Sequence, residues 1–272
     1  LQSFYDKYSQ IRNDLNKEDT IYNTLTYDAC KQTLEAKFNQ QNYVPEFGYF
    51  SVGMRENYLQ DWQIGWTGGM ISTYPLLFYG NDTTVKRVLN NFDWLFPNGI
   101  SPSGFYWDAG QKGNQWFGGD IRNPHTKNWH LVRKSGDAIW YILKQFALMQ
   151  KMGIDIKQSW RDGNQKVCDA FVNLWQKNHQ LGQFVDANTG EIIVGGSSSG
   201  AIVPAALMLA SQFYHNSIYA KTAFEIGDYY NDNFLTKGIS CGGPGDALQA
   251  FDSESSYALV ETYVTLYEYT ND

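Results

Sequence analysis

Acidic side chains stand at or near the predicted starts of several helices. Asp252 and Glu254 open the last predicted helix, and Asp137 lies in the first turn of an earlier one, four residues after Arg133. Asp120 lies in a long segment without hydrophobic periodicity. Carboxyl groups that share a cleft can act as a general acid and a general base. These four carboxyl groups are therefore the candidates for acid–base chemistry.

Each candidate also has a structural interpretation. Asp252 can cap a helix N-terminus, and Glu254 can interact favourably with the helix dipole there. Asp137 can form an intrahelical ion pair with Arg133, and Asp120 can be a solvated loop residue. Because each helical residue turns the chain by about 100°, Asp252 and Glu254 point roughly 200° apart, and only one of them is expected to face a cavity.

Residues 196–200 (GSSSG) match the G-x-S-x-G nucleophile elbow, and they lie between a predicted strand and a predicted helix. Hydrolases of that kind need parallel strands, and an acid followed by a histidine after the serine. His215 is the only later histidine, and no Asp or Glu stands between it and Ser198. The segment is therefore interpreted as a Ser- and Gly-rich helix start.

Composition excludes several classes of function. The 272 residues carry 21 Lys and Arg against 28 Asp and Glu, a net charge of −7, which argues against a nucleic acid or an anionic membrane as the partner. No apolar run reaches about 18 residues, so no membrane insertion is expected. Three scattered cysteines and four dispersed histidines match no metal motif, and no phosphate-binding glycine loop is present. We expect no metal and no cofactor.

Hydrophobic periodicity predicts one helix after another. Helices that are apolar on most sides alternate with amphipathic ones, and loops rich in glycine or polar residues lead into the apolar ones. This alternation predicts a ring of helical hairpins with inner and outer helices. The apolar helices are predicted at 67–79, 129–152, 199–213 and 254–269, and the amphipathic ones at 83–96, 159–177 and 217–234.

The remaining segments are less regular. A helix is predicted over 26–40, capped by Thr26 or Asp28, after a polar stretch that we expect to be partly loop. Residues 183–194 predict a β-hairpin. Residues 98–128 are long, rich in Gly, Asn, Trp and Asp, and without a period. A structureless segment of that length is usually functional.

From about residue 60 to residue 270, the sequence resembles the (α/α)6-toroid, or six-hairpin, glycoside hydrolases and their uncharacterised bacterial relatives. The resemblance rests on QIGWTGG at 63–69 before a helix with YPLL at 74–77, on GQF at 182–184 with TGE at 189–191, and on DSES at 252–255 before a helix that ends in LYE at 266–268. It implies an all-α fold, a single toroid domain over residues 1–272 with small β-hairpins at its mouth. A full toroid has twelve helices, and periodicity predicts seven to nine, so the ring is incomplete or the chain is part of a longer protein.

The resemblance implies an enzyme that hydrolyses glycosidic bonds of an oligo- or polysaccharide with a pair of carboxyl groups. We expect Asp120 and Glu254 to be the acid and the base, with Asp252 and Asp137 in reserve. Aromatic residues make up 16% of the chain, and ring faces stack on sugars. The residues expected to bind the substrate are Trp66, Trp107, Trp116 and Arg133.

Two other classes of function fit the same sequence. A toroid without a working carboxyl pair would be a carbohydrate-binding or scaffold module, and a polysaccharide lyase would use a Tyr or His base. An enzyme of this substrate class is expected to be secreted or periplasmic, and the oligomeric state stays open.

Overall fold

The computed structural model describes residues 2–15, 25–53, 62–65, 69–119 and 123–270. The chain divides into two compact units, Leu1–Leu34 and Glu35–Asp272. In the first unit, α1 (Gln2–Leu15) is a helix that the sequence analysis did not predict, while residues 16–24 of the same polar stretch lie outside the described residues. Helix α2 (Tyr27–Lys37) begins in this unit, and Thr26 Oγ1 accepts a hydrogen bond from Ala29 N at 3.1 Å, which confirms Thr26 as its cap.

The helices of the second unit form consecutive hairpins. They are α3 (Thr73–Tyr79), α4 (Asp82–Leu95), α5 (Val132–Met152), α6 (Gln158–Asn178), α7 (Val203–Tyr214), α8 (Ser217–Asn233) and α9 (Ser253–Thr270). An inner row runs α3–α5–α7–α9, each helix packed on the next, while α4, α6 and α8 lie against the inner helix that precedes each of them. The predicted all-α architecture of helical hairpins is confirmed.

Local chemistry explains where these helices begin and how the two rows meet. Asn81 and Asn216 cap α4 and α8, their side chains accepting hydrogen bonds from Thr84 N and Ile218 N, both at 3.1 Å. The core holds the apolar faces of both rows. At one such contact, the ring of Phe92 on α4 lies 5.8 Å from that of Phe146 on α5.

Helix α9 departs from the expected burial. Its apolar residues were expected to be covered, as they are on α7, but only one side of α9 is buried. Tyr257, Val260, Val264 and Tyr267 are 50–64% exposed. They stand three or four residues apart and form one continuous face. In the described part of the second unit, α9 packs mainly on α7 and α8, which cover the opposite side.

Within the described ranges, three small antiparallel sheets join the helices. The strands are β1 (Tyr43–Val44), β2 (Tyr49–Phe50), β3 (Trp62–Gln63), β4 (Ala109–Gln111), β5 (Gln115–Phe117), β6 (Trp129–Leu131), β7 (Phe184–Asp186) and β8 (Ile192–Val194). The sheets are β1–β2, β3–β4–β5 and β6–β7–β8. The predicted hairpin at 183–194 is confirmed as β7 and β8. The expectation of a structureless segment at 98–128 is wrong over β4 and β5, which are too short to show a period.

Candidate active site

The loops that precede the four inner helices gather at one end of the helices. A Cβ on Gly65, before α3, would lie 2.3 Å from the carbonyl oxygen of Lys134 in the first turn of α5. Before α7, Ser198 Oγ donates to Cys241 O at 3.0 Å and accepts from Cys241 N at 2.9 Å, in the loop before α9. Arg133 Nη1 of α5 donates to Gly243 O of that same loop at 3.2 Å. These contacts link the loops before the four inner helices to one another at one rim.

Gln183 holds the glycine-rich loop before α9 in place. Its fully buried amide donates to Pro244 O at 3.0 Å and to Ala247 O at 2.9 Å, and its oxygen accepts from Gln249 N at 2.8 Å. Its own carbonyl accepts from Val132 N at 3.0 Å, at the start of α5. One buried residue thus fixes the start of α5, through its backbone, against the loop before α9, through its side chain.

Two of the predicted carboxyl groups meet at one guanidinium. Arg133 Nε lies 3.1 Å from Asp137 Oδ2, one turn along α5. Arg133 Nη1 donates to Glu254 Oε2, in the first turn of α9. The Asp137 side chain is 13% exposed, whereas that of Glu254 is 49% exposed. The rim therefore holds one buried and one accessible carboxyl group around a shared cation.

Burial dominates the electrostatics of Asp137. Removal from water raises the pKa of its carboxyl from 3.8 to about 6, although the Arg133 charge and hydrogen bond act in the opposite direction. A carboxyl group with such a pKa is partly protonated near neutral pH. It can donate a proton under conditions in which an ordinary aspartate cannot.

The face of α5 that carries Arg133 and Asp137 continues with Tyr141, one turn further on. Burial, with the nearby Tyr257 and the negative Asp137, raises the pKa of Tyr141 to about 12. The influence of Tyr257 on this pKa places it near Tyr141, and Tyr257 is 60% exposed on α9. This face of α5 therefore approaches α9 at Arg133, which donates to Glu254, and again at Tyr141.

A buried ionic network lies beneath the first turn of α5. Lys134 Nζ is 2.5 Å from Asp108 Oδ2 and 3.2 Å from Gln63 Oε1. His130 Nδ1 lies 3.6 Å from Asp108 Oδ1, and its Nε2 lies 2.7 Å from Ser135 Oγ. Burial acts to raise the pKa of Asp108, but Lys134 and His130 outweigh it and hold the pKa below its usual value. The network ties β3, β4 and β6 to the start of α5.

Asp252 has the hydrogen bonds of a helix cap. Its Oδ1 accepts from Ser255 N at 2.6 Å, and its Oδ2 accepts from Gly243 N at 2.9 Å. These bonds satisfy a backbone donor of the first turn of α9 and hold the preceding loop. The structural interpretation therefore accounts for its carboxylate, and its reserve catalytic role stays a prediction.

The remaining predicted site residues are Asp120, Trp66, Trp107 and Trp116. Asp120 and Trp66 lie outside the described residues. Trp107 is half-buried in a loop, where its backbone N–H donates to Gly99 O at 2.9 Å. Trp116 lies on strand β5 rather than in a loop, with its ring stacked on Trp94 at a centroid distance of 4.5 Å. The predicted sugar contacts of these tryptophans stay predictions.

Two further motifs have structural explanations. Trp62, which directly precedes the QIGWTGG segment, is fully buried in β3. Ser198, at the centre of the GSSSG segment, is fully buried, and its hydroxyl donates a hydrogen bond to the Cys241 carbonyl. The serine-rich segment before α7 is thus hydrogen-bonded to the loop before α9.

Sequence reasoning missed Tyr141, Lys144, Tyr257 and the buried Lys134. The sequence spacing could have found two of them. Tyr141 and Lys144 follow Arg133 by eight and eleven residues and therefore share its helix face. Among the described residues, no group of three or more His, Cys, Asp or Glu side chains could hold a metal ion. Over the same described ranges, every helix is too short or too polar to cross a membrane.

Comparison with solved structures shows which fold this is. A GH76 alpha-mannanase from Bacteroides thetaiotaomicron superposes with a TM-score of 0.62 at 10% identity, over 90% of this chain and 64% of that one. A family 105 glycoside hydrolase from C. acetobutylicum gives 0.63 at 14% identity, over 90% and 74%. The chain has the α/α-toroid fold of glycoside hydrolases.

A third toroid, the unsaturated glucuronyl hydrolase of Streptococcus agalactiae, gives a TM-score of 0.50 at 13% identity, over 74% of this chain and 51% of that one. The present chain spans less than two thirds of the length of the mannanase structure. No family model and no curated protein matches the sequence. The comparisons therefore establish the fold.

Proposed function

We propose that this protein is a glycoside hydrolase that cleaves an oligo- or polysaccharide, with Asp137 as the general acid and Glu254 as the second carboxyl group. The supporting observation is the shared guanidinium of Arg133, which holds Asp137 of α5 and Glu254 of α9 at the rim where the inner helices begin. A secreted or periplasmic location goes with this proposal.

The two carboxyl groups differ in the way that glycoside hydrolysis requires. Asp137, with its pKa raised to about 6 by burial, can hold the proton that the leaving glycosidic oxygen needs. Glu254, half-exposed and paired with Arg133, supplies the carboxylate that activates water or attacks the anomeric carbon. Groups bridged by one guanidinium are compatible with the roughly 5 to 9.5 Å that glycosidases leave between their carboxyls.

Asp137 takes the acid role in this proposal in place of Asp120, because Asp137 is the acid that meets Glu254 among the described residues. Asp120 belongs to the segment before β6, outside the described ranges, and stays a candidate. The test therefore includes all three carboxyl groups.

The experiment is an assay of a glycan panel that includes α-mannan and neutral and acidic polysaccharides, measured by the release of reducing ends. D137N and E254Q should each lower turnover by about a hundredfold or more, since that is the usual contribution of a general acid or base. The matched control is D155N, at an exposed position after the far end of α5.

Three results would contradict the proposal. Full turnover in D137N or E254Q, with a large loss in D120N, would return the acid role to Asp120. Products that absorb in the ultraviolet would identify a lyase. Sugar binding without turnover on any glycan would favour a carbohydrate-binding module.

A further inference from the structure

Lys144 lies on the same face of α5 as the proposed acid. It follows Asp137 by seven residues, which is about 10 Å along the helix axis and within roughly 20° of the same direction. Its side chain is half-buried. A group bound at its ammonium would therefore lie about two sugar-ring lengths from the Asp137 carboxyl, along the same face.

Three aromatic rings surround this ammonium. Its Nζ lies 4.5 Å from the ring of Trp140 and 5.9 Å from each of the rings of Tyr74 and Tyr141. The ring faces stabilise a cation but accept no strong hydrogen bond from it. In the described ranges, no carboxylate or carbonyl oxygen pairs with Lys144 Nζ.

Lys157 also lies near an aromatic ring, but its ammonium is paired with a carboxylate. Its Nζ lies 5.3 Å from the ring of Trp160, and it also lies 2.7 Å from Asp93 Oδ1. Among the described residues, the Lys144 ammonium has the ring contacts but no carboxylate partner. Its donors are available to an anionic ligand that enters along the α5 face.

We infer that Lys144 forms a subsite for an anionic substituent, a carboxylate or a sulfate ester, on a sugar unit of the substrate. Tyr74 and Tyr141 offer half-buried rings beside it, and Tyr257 is exposed on α9 next to Tyr141. Rings of this kind can stack on the apolar face of the sugar whose charged group meets Lys144. The inference rests on the proposed function, since it specifies the substrate class of the same site.

Binding, measured without turnover, tests this subsite. Glucuronate, glucose 6-sulfate and glucose are titrated into the 272-residue protein and followed by ligand-detected NMR. At least one charged probe should bind about tenfold more tightly than glucose, the gain expected from one charge-assisted hydrogen bond. A preference for glucuronate identifies a carboxylate, and a preference for glucose 6-sulfate identifies a sulfate ester.

The variants assign any preference to this lysine. K144Q should abolish it, K144R should restore most of it, and K151Q, an exposed lysine in the last turn of α5, should leave it unchanged. The preference should also weaken with added salt, because salt screens a half-exposed charge. Circular dichroism and thermal melts verify that each variant is folded.

Equal affinity for charged and neutral probes in the unmodified protein would overturn the inference, and so would an undiminished preference in folded K144Q. The two proposals can fail separately. A Lys144-dependent preference without hydrolysis of any glycan would contradict only the proposed enzyme. Hydrolysis with no charge preference would contradict only the subsite.

Discussion

Arg133 Nε lies 3.1 Å from Asp137 Oδ2, one helical turn apart at the start of α5. The pair does not keep the pKa of Asp137 at its ordinary value, because burial raises the pKa of the carboxyl to about 6 against the influence of the guanidinium. Several measurements follow from this balance and from the contacts around it.

The stability of the protein should depend on pH through Asp137. The pKa is about 6 in the folded chain against 3.8 for the free side chain, so the folded state binds a proton that the unfolded state releases. This contribution is fully present below about pH 4 and is lost as the pH rises through about 6. Relative to D137N, the free energy of unfolding should fall by about 3 kcal/mol over that range.

Urea unfolding of both proteins at several pH values measures this difference. D155N, at an exposed position, should follow the unmodified protein throughout. Parallel pH curves for D137N and the unmodified protein would show that burial of Asp137 is not the controlling influence.

Removal of the Arg133 guanidinium should move the pH-dependent loss of stability that comes from Asp137 to higher pH. In R133M, burial acts on the Asp137 carboxyl without opposition, so its pKa should rise above about 6. The measurement is the pH at which R133M loses stability relative to R133M/D137N. An unchanged midpoint would mean that the Arg133 contact contributes little to the ionisation of Asp137.

Asp252 should behave as a helix cap. D252A should lower the free energy of unfolding by about 1 kcal/mol, because it leaves backbone donors at the start of α9 and in the Gly243 loop without an acceptor. D252N retains an acceptor and should cost much less. A hundredfold loss of turnover in stably folded D252N would instead assign this carboxylate to the chemistry.

The buried pair of Lys134 and Asp108 should be far more sensitive than an exposed pair. K134M leaves Asp108 buried without its main partner and should cost about 3 to 5 kcal/mol of unfolding free energy. The control is K177M, which removes an exposed partner of Glu191 and should cost less than about 1 kcal/mol. Similar losses in the two variants would mean that water reaches the Asp108 network.

Periodicity predicted the longer helices because their residues follow one local rule. The amphipathic pattern at 83–96 became α4, Asp82–Leu95, and the pattern at 159–177 became α6, Gln158–Asn178. The pattern failed at 98–128, where β4 pairs with β3 through Gln63 and Ala109, 46 residues apart in the chain. Strands of two or three residues depend on such distant partners.

The candidate site likewise combines a local contact that the sequence predicted with distant contacts that it did not. The spacing of Arg133 and Asp137 on one helix predicted their contact, because side chains four residues apart lie on the same helix face. The sequence by itself thus determined the helices, their apolar faces and this local pair. Only the tertiary structure decided that Glu254 reaches the same guanidinium, that Asp252 is bound as a cap, and that Asp137 is buried enough to raise its pKa. Those properties depend on packing between α5, α9 and their loops, which are more than a hundred residues apart along the chain.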